Sequence, residues 1–107
     1  MKRIFLDTAG IIALLNRDDQ WHVAARGAID AISPAKFKFV TTPMVLMECG
    51  NAVSRTTLRV EVCALRRKLQ ESKSIIAPSA VEQELAWRNF ELGIGGQAGI
   101  VDQVSFI

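Results

Sequence analysis

The sequence predicts an α/β fold built around a parallel β-sheet, and two observations predict it. Short runs of β-branched and aromatic residues alternate along the chain with longer segments of helical periodicity. Strands that alternate with helices form parallel sheets, because each helix carries the chain back to the start of the next strand. The length of 107 residues, half of them hydrophobic, is enough for one small core. We therefore expect a single domain over residues 1–107.

The first half of the chain is predicted to contain two strands and three helices. The runs at residues 3–6 and 37–41 are typical of buried strands. Helices are predicted over 9–15, from a cap at Asp18 or Asp19 to residue 32, and from Thr42 to about residue 55. The Thr42-Pro43 pair is a good helix start, because threonine caps free backbone amides and proline suits the first helical position.

The second half is predicted to contain two more helices and a third strand. Apolar residues at 58, 62, 65 and 69 indicate the fourth helix, and residues 74–77 the strand. Ser79 and Glu82 have the capping-box spacing and open a fifth helix, which glycines at 93–99 end. Its second apolar stripe is interpreted as core, with a dimer interface as the alternative; the stripe comprises Trp87, Phe90 and Ile94. A last helical start is predicted over 100–107.

The composition excludes several classes of function. The formal net charge of +2 does not by itself require a nucleic-acid partner. Cys49 and Cys63 fall in apolar helical patterns without Cys-x-x-Cys spacing, which favours reduced, structural thiols over a zinc site. His22, the sole histidine, lies on a polar helix face and is expected to be exposed. No apolar run approaches the roughly 18–20 residues of a membrane span, so we expect a cytoplasmic protein.

Three acids stand isolated in apolar sequence, each near an expected helix N-terminus: Asp7, Glu48 and Asp102. Asp7 follows the first strand, where sites of α/β proteins lie, although it also fits a simple helix cap. Glu48 would lose hydration in an apolar helix unless it binds a cation or pairs with Asn51 or Arg55. Asp102 fits equally well the pattern of an acid in the first turn of a helix, where the helix dipole favours negative charge. Carboxylates that meet repel one another unless a divalent cation lies between them, which predicts a site for Mg²⁺ or Mn²⁺.

The ordered set of these motifs resembles the PIN domain, in particular its small VapC-type branch. The motifs are Ile-Phe-Leu-Asp7-Thr8, then Thr42-Pro43 leading to Glu48-Cys-Gly-Asn51-Ala-Val-Ser-Arg55, then Ile100-Val-Asp102-Gln-Val-Ser105. The resemblance implies a three-layer α/β/α sandwich and a metal-dependent ribonuclease, often a toxin silenced by a cognate antitoxin. It implies that Asp7, Glu48 and Asp102 bind the metal and are catalytic. Thr8, Asn51 and Ser105 would be polar residues that support them.

The chain departs from this family at its end. The family usually carries a further acid after another strand, whereas the sequence stops at Ile107. We therefore expect an incomplete domain without its last strand, and self-association as a dimer through the incomplete edge. The alternative function is a weakly active or inactive module that acts by binding a protein. A metal-dependent phosphatase or DNA nuclease would use the same acids.

A local basic stretch follows the second acid. Its cations have two interpretations, a solvated helix face or phosphate contacts beside an acidic cleft. The candidate RNA-binding residues are Arg55, Arg59, Arg66 and Arg67. The predicted function is therefore hydrolysis of RNA phosphodiester bonds by a metal-activated water. The predicted partners are RNA, an antitoxin and a second copy of the chain, with no membrane.

Overall fold

The computed structural model describes residues 2–32 and 34–94, in which seven elements follow one another. They are β1 (Lys2–Phe5), α1 (Thr8–Leu15), α2 (His22–Asp30), β2 (Phe37–Val40), α3 (Pro43–Val53), α4 (Arg59–Glu71) and α5 (Ala80–Glu91). The chain divides into two compact units after Ile76. The first unit contains β1 to α4, and the second contains α5. A single domain over 1–107 stays a prediction, and the helix predicted over 100–107 lies outside the described residues.

The two strands pair in parallel, which confirms the predicted α/β class. The register places Lys2 opposite Phe37 and Phe5 opposite Val40. One further backbone hydrogen bond, from the Leu6 amide to the Val40 carbonyl at 2.8 Å, extends the contact beyond β1. Two helices, α1 and α2, connect the strands, as a parallel arrangement requires.

The prediction of a third strand over residues 74–77 is wrong in the length of that strand. Within the described residues, Ile75 forms an isolated parallel bridge with Thr41. The Thr41 amide donates to the Ser74 carbonyl at 3.0 Å, and the Ile76 amide donates to the Thr41 carbonyl at 2.8 Å. The contact is this short because β2 ends at Val40 and α3 begins at Pro43, so little extended chain is left to pair with residues 74–77.

The core of the first unit is built mainly by α1, α3 and α4. On α3, Val45, Cys49 and Val53 are buried at intervals of four residues and form one stripe. The remaining buried apolar residues of this unit are Ile11, Ala13, Val40, Leu46, Val62 and Leu69. Cys63, in contrast, is exposed, because α4 buries only the face that carries Val62 and Leu69. Both cysteines are free thiols.

Two of the predicted helix starts are confirmed. Thr42 accepts a hydrogen bond from the Val45 amide at 3.3 Å and caps α3. At α5, the Ser79 hydroxyl accepts from the Glu82 amide at 3.1 Å, and the Glu82 carboxylate accepts from the Ser79 amide at 2.9 Å. These are the two reciprocal bonds of a capping box.

The predicted start of α2 is wrong. The helix begins at His22, and its cap residue Trp21 makes no side-chain cap. The Asp19 carboxylate accepts from the Trp21 amide at 2.8 Å, and the Asn16 side chain accepts from the Asp18 amide at 3.0 Å. Short polar side chains that bond two residues ahead favour turns over a helix, so these residues form the connection before α2.

His22 is half-buried, in contrast to the exposed position predicted for it. Its Nδ1 lies 2.7 Å from the carbonyl oxygen of Ala13, near the end of α1. The polar face of α2 therefore contains one side chain that turns towards α1 and ties the two helices together.

None of the helices in the described part of the chain is long and apolar enough to cross a membrane.

In α5, the interpretation of the second apolar stripe as core is wrong. Trp87 is 48% exposed and Phe90 is 45% exposed, and their rings meet edge to face with centroids 6.1 Å apart. Ala86 is fully buried, but the large apolar side chains of this helix stay accessible.

As predicted, a glycine follows the end of the helix: Gly93 has φ 71°, a left-handed conformation that glycine adopts without strain. The glycines at 95, 96 and 99 lie outside the described residues.

Candidate active site

Asp7 lies between β1 and α1 and caps the helix. Its Oδ1 accepts a hydrogen bond from the Gly10 amide at 2.7 Å, which confirms the cap interpretation. The side chain is exposed, and within the described residues its second oxygen accepts no hydrogen bond. Capping uses one carboxylate oxygen and does not prevent the other from binding a cation.

Gly10 makes this arrangement possible. A Cβ atom at Gly10 would lie 2.9 Å from Asp7 Oδ1, which is closer than the atoms can approach without a shift. The absence of a side chain therefore allows the carboxylate to sit directly over the first turn of α1. There it also benefits from the partial positive charge of the helix N-terminus.

Glu48 is exposed on α3, although its sequence neighbours are almost all apolar. The expectation of a desolvated carboxylate is therefore wrong. Val45 and Cys49 form the buried stripe of α3, and the turn of the helix places Met47 and Glu48 outside it. Within residues 2–32 and 34–94, an ion pair joins Arg26 and Asp30. Among the same residues, Glu48 forms no ion pair with Arg55. Its carboxylate is left available.

Cys49 connects the helix that Asp7 caps with the helix that carries Glu48. Burial raises its pKa to about 11, and the negative charges of Glu48 and Asp7 both add to that rise. The packing of α1 against α3 thus places the helix that Asp7 caps beside the helix that carries Glu48.

Thr8 borders the same thiol. The Cys49 Sγ lies 4.0 Å from the Thr8 carbonyl oxygen, and a hydrogen bond with the Thr8 side chain lowers the thiol pKa, opposing the larger effect of burial. Thr8 is half-buried at the start of α1. It follows Asp7 in sequence and contacts Cys49, the residue after Glu48.

Of the other predicted site residues, one lies in the described part of the chain and two lie outside it. Asn51 is exposed on α3, one turn after Glu48. Asp102 and Ser105 lie outside the described residues. Within the described part of the chain, no three side chains of the histidine, cysteine or acidic types form a group that could hold a metal ion. The described part of the candidate site consists of Asp7 and Thr8 at the start of α1 and of Glu48 and Cys49 on α3.

Sequence reasoning missed Thr41. It is fully buried and follows the end of β2, and its hydroxyl donates to the Leu6 carbonyl oxygen at 2.8 Å. Leu6 immediately precedes Asp7. A threonine at a strand end is so common that no sequence signal separates it from an ordinary strand residue.

The candidate RNA-binding arginines are all exposed: Arg55, Arg59, Arg66 and Arg67. Arg66 and Lys73 border an open cavity of about 590 Å³ next to α3. The other residues that line this cavity are Gln70 and four apolar residues, Pro43, Leu46, Met47 and Ile75. Two cationic residues thus line a cavity beside the helix that carries Glu48.

The fold and the site define the class of this protein. It is an α/β protein with a parallel sheet and an acid directly after its first strand, the position where sites of such folds lie. No family model and no curated protein matches the chain in sequence.

A solved structure has a similar fold. It is the crystal structure of VapC20 from Mycobacterium tuberculosis, described as a Sarcin-Ricin loop cleaving toxin. The TM-score is 0.75 and the sequence identity is 22%, over 95% of this chain and 77% of that chain. At this identity the likeness shows a shared fold.

Proposed function

We propose that this protein is a VapC-type endoribonuclease of the PIN family, in which Asp7, Glu48 and Asp102 hold Mg²⁺ or Mn²⁺. The observation that carries the proposal is the packing of α1, which Asp7 caps, against α3, which carries Glu48. The order of the three acids and the fold shared with a toxin that cleaves the sarcin-ricin loop support it.

The residues present fit a hard divalent cation. Mg²⁺ and Mn²⁺ prefer carboxylate oxygens and retain several waters, so one or two exposed carboxylates suffice to bind them. Asp7 and Glu48 are exposed, are carried at or on two helices that pack together, and form no ion pair within the described residues. When bound, the cation supplies an activated water and stabilises the leaving oxygen of a phosphodiester.

The chain's own groups prepare this site. The Gly10 amide holds one oxygen of Asp7 and leaves the other towards solvent. Burial raises the pKa of Cys49 to about 11, which adds to the preference of a thiol for its neutral form at pH 7. A neutral, buried thiol also does not compete as a soft metal ligand.

The exposed arginines provide the contact with the substrate. We assign phosphate binding to Arg55, Arg59, Arg66 and Arg67, which carry positive charge on and next to α4. Contacts of this kind release counterions, so RNA affinity should fall as salt rises. The proposal also includes an antitoxin partner, a dimer and a cytoplasmic location.

The experiment that tests this function replaces Asp7 by asparagine. Asparagine caps a helix as well as aspartate does, so Asp7→Asn should fold normally. Loss of the charged ligand should reduce Mn²⁺-dependent cleavage of RNA about 100-fold or more. Cleavage of a labelled RNA is measured with and without Mn²⁺.

The matched control is Asp30→Asn, which removes an exposed acid whose partner is Arg26, 4.0 Å away. Exposed ion pairs contribute at most about 1 kcal/mol, so this variant should cleave as the wild type does. Cleavage by Asp7→Asn at the wild-type rate would contradict the proposal. A panel of RNA, DNA and phosphomonoester substrates separates it from a DNA nuclease or phosphatase.

A second candidate function is a binding module without catalysis. The observation that favours it is the set of exposed apolar side chains on α5, in which Val81 is 78% and Leu85 is 44% exposed. Exposed apolar patches mark interaction sites. Calorimetric titration with Mn²⁺ distinguishes the two functions, because a binding module would take up no metal above background.

A further inference from the structure

Thr41 is linked to Asp7 through one carbonyl group. The Thr41 hydroxyl donates to the Leu6 carbonyl oxygen at 2.8 Å, and the Leu6 amide donates to the Val40 carbonyl at 2.8 Å. The Leu6 carbonyl belongs to the planar peptide group that also contains the amide nitrogen of Asp7. A hydrogen bond that fixes this carbonyl group therefore also fixes the backbone amide of Asp7.

Thr41 is itself fixed by its neighbours. It is fully buried, its amide donates to Ser74, and its carbonyl accepts from Ile76. All its polar groups are therefore paired, as buried polar groups generally are. The two backbone hydrogen bonds hold Thr41 at the position from which its hydroxyl reaches the Leu6 carbonyl.

The same segment also leads to the second acid. Thr42, the next residue, caps α3 through its hydroxyl, and α3 carries Glu48 in its second turn. The Thr41 hydroxyl thus contacts the chain just before Asp7. The hydroxyl of the next residue, Thr42, caps the helix that carries Glu48. A shift of Thr41 would change the position of one acid relative to the other.

We propose that Thr41 is a positioning residue of the candidate site, whose hydroxyl orients the Leu6–Asp7 peptide group and with it the Asp7 carboxylate. The inference rests on the proposed function, in which that carboxylate binds a divalent cation. Valine has nearly the shape of threonine but no hydroxyl, so Thr41→Val leaves the Leu6 carbonyl without its donor. Thr41→Ser keeps the donor.

The experiment uses two readouts on the full chain, one of them without metal. The Gly10 amide donates to Asp7 Oδ1, so its hydrogen exchange, followed by NMR, reports the position of the carboxylate. In Thr41→Val we expect exchange at Gly10 to be about 10-fold faster and Mn²⁺ affinity, measured by calorimetry, to be about 10-fold weaker. Thr41→Ser should restore both.

Ser74→Ala is the matched control. Ser74 is also buried, and its hydroxyl lies 2.7 Å from that of Ser72, without a contact to Leu6. Its removal should leave Gly10 exchange and Mn²⁺ affinity unchanged. If Ser74→Ala changes them as much as Thr41→Val does, the effect is a general loosening and the inference is overturned.

Other outcomes also decide the question. Wild-type exchange at Gly10 in Thr41→Val overturns the inference, as does a loss of Mn²⁺ affinity in a folded Thr41→Ser. If the valine variant does not fold, Thr41→Ala replaces it under the same expectations. A wild-type chain that binds no Mn²⁺ contradicts the proposed function and the metal-binding part of this inference, while Gly10 exchange still tests the orientation of Asp7.

Discussion

At the scale of single residues, burial and role do not follow from sequence neighbours alone. Glu48 is surrounded by apolar residues in sequence and is nonetheless exposed, whereas Cys49 next to it is fully buried. Asp7 is a helix cap and also a candidate metal ligand, because the cap occupies one oxygen. The two interpretations of Asp7 that compete in the sequence are compatible in the structure.

Replacement of Gly10 by alanine tests this double role. Alanine in a helix gains up to about 1 kcal/mol over glycine, but its Cβ would displace Asp7 Oδ1 and weaken a cap that contributes about 1 kcal/mol. The two effects are similar in size, so the free energy of unfolding should change little while Mn²⁺ binding weakens. Denaturant unfolding and calorimetry measure the two quantities.

Gly27→Ala is the control for this change. Gly27 lies in α2 with nothing within 4 Å of the position of a Cβ, so alanine should stabilise the protein by about 0.5–1 kcal/mol and leave Mn²⁺ affinity unchanged. A Gly10→Ala variant that is stabilised equally and binds Mn²⁺ normally would show that Asp7 does not need this space.

At the scale of elements, local capping chemistry is the most predictable part of the molecule. The starts of α3 and α5 follow directly from Thr42 and from the Ser79–Glu82 spacing, because these bonds form within four residues. The start of α2 is not predictable in this way, since Asp19 bonds into a turn instead. The strand predicted at 74–77 is a single bridge, because its length depends on how much of β2 remains available to pair.

The capping box of α5 predicts a pH dependence. Hydrogen bonds from the Ser79 backbone and side chain lower the pKa of Glu82 below its ordinary value of 4.5. A lowered pKa stabilises the folded state above the ordinary value, and that contribution is lost as the pH falls through the lowered one. The Ser79 amide resonance should therefore titrate below pH 4.5.

Glu82→Gln is the control for this titration. Glutamine keeps an oxygen acceptor at the same position but has no charge to lose, so the acid titration of the Ser79 resonance should disappear. Titration of Glu82 at or above its ordinary pKa in the wild type would mean that the capping bonds do not persist in solution.

At the scale of the whole molecule, the site depends on packing between distant segments. Asp7 caps α1 and Glu48 belongs to α3, and these two helices pack against each other. A cation bound by both would link these segments in the folded state only. Binding to the folded state alone raises stability with ligand concentration.

Mn²⁺ should therefore raise the melting temperature of the wild-type chain. At a concentration of 100 times the Kd, the expected stabilisation is about 2.7 kcal/mol. The shift should vanish in Asp7→Asn and on addition of a chelator, and persist in Glu71→Gln, which removes an exposed acid from α4. Equal shifts in all three proteins would indicate metal binding elsewhere, and scanning calorimetry measures them.

The sequence by itself determined the alternation of strands and helices, the parallel sheet, the caps of α3 and α5, and the choice of Asp7 and Glu48 as candidates. These features depend on periodicity and on bonds between residues close in the chain. Only the tertiary structure decided that Glu48 is exposed, that His22 bonds to α1, and that Thr41 holds the carbonyl before Asp7. Those facts depend on contacts between segments far apart in sequence, and no local pattern encodes which face of a helix meets which neighbour.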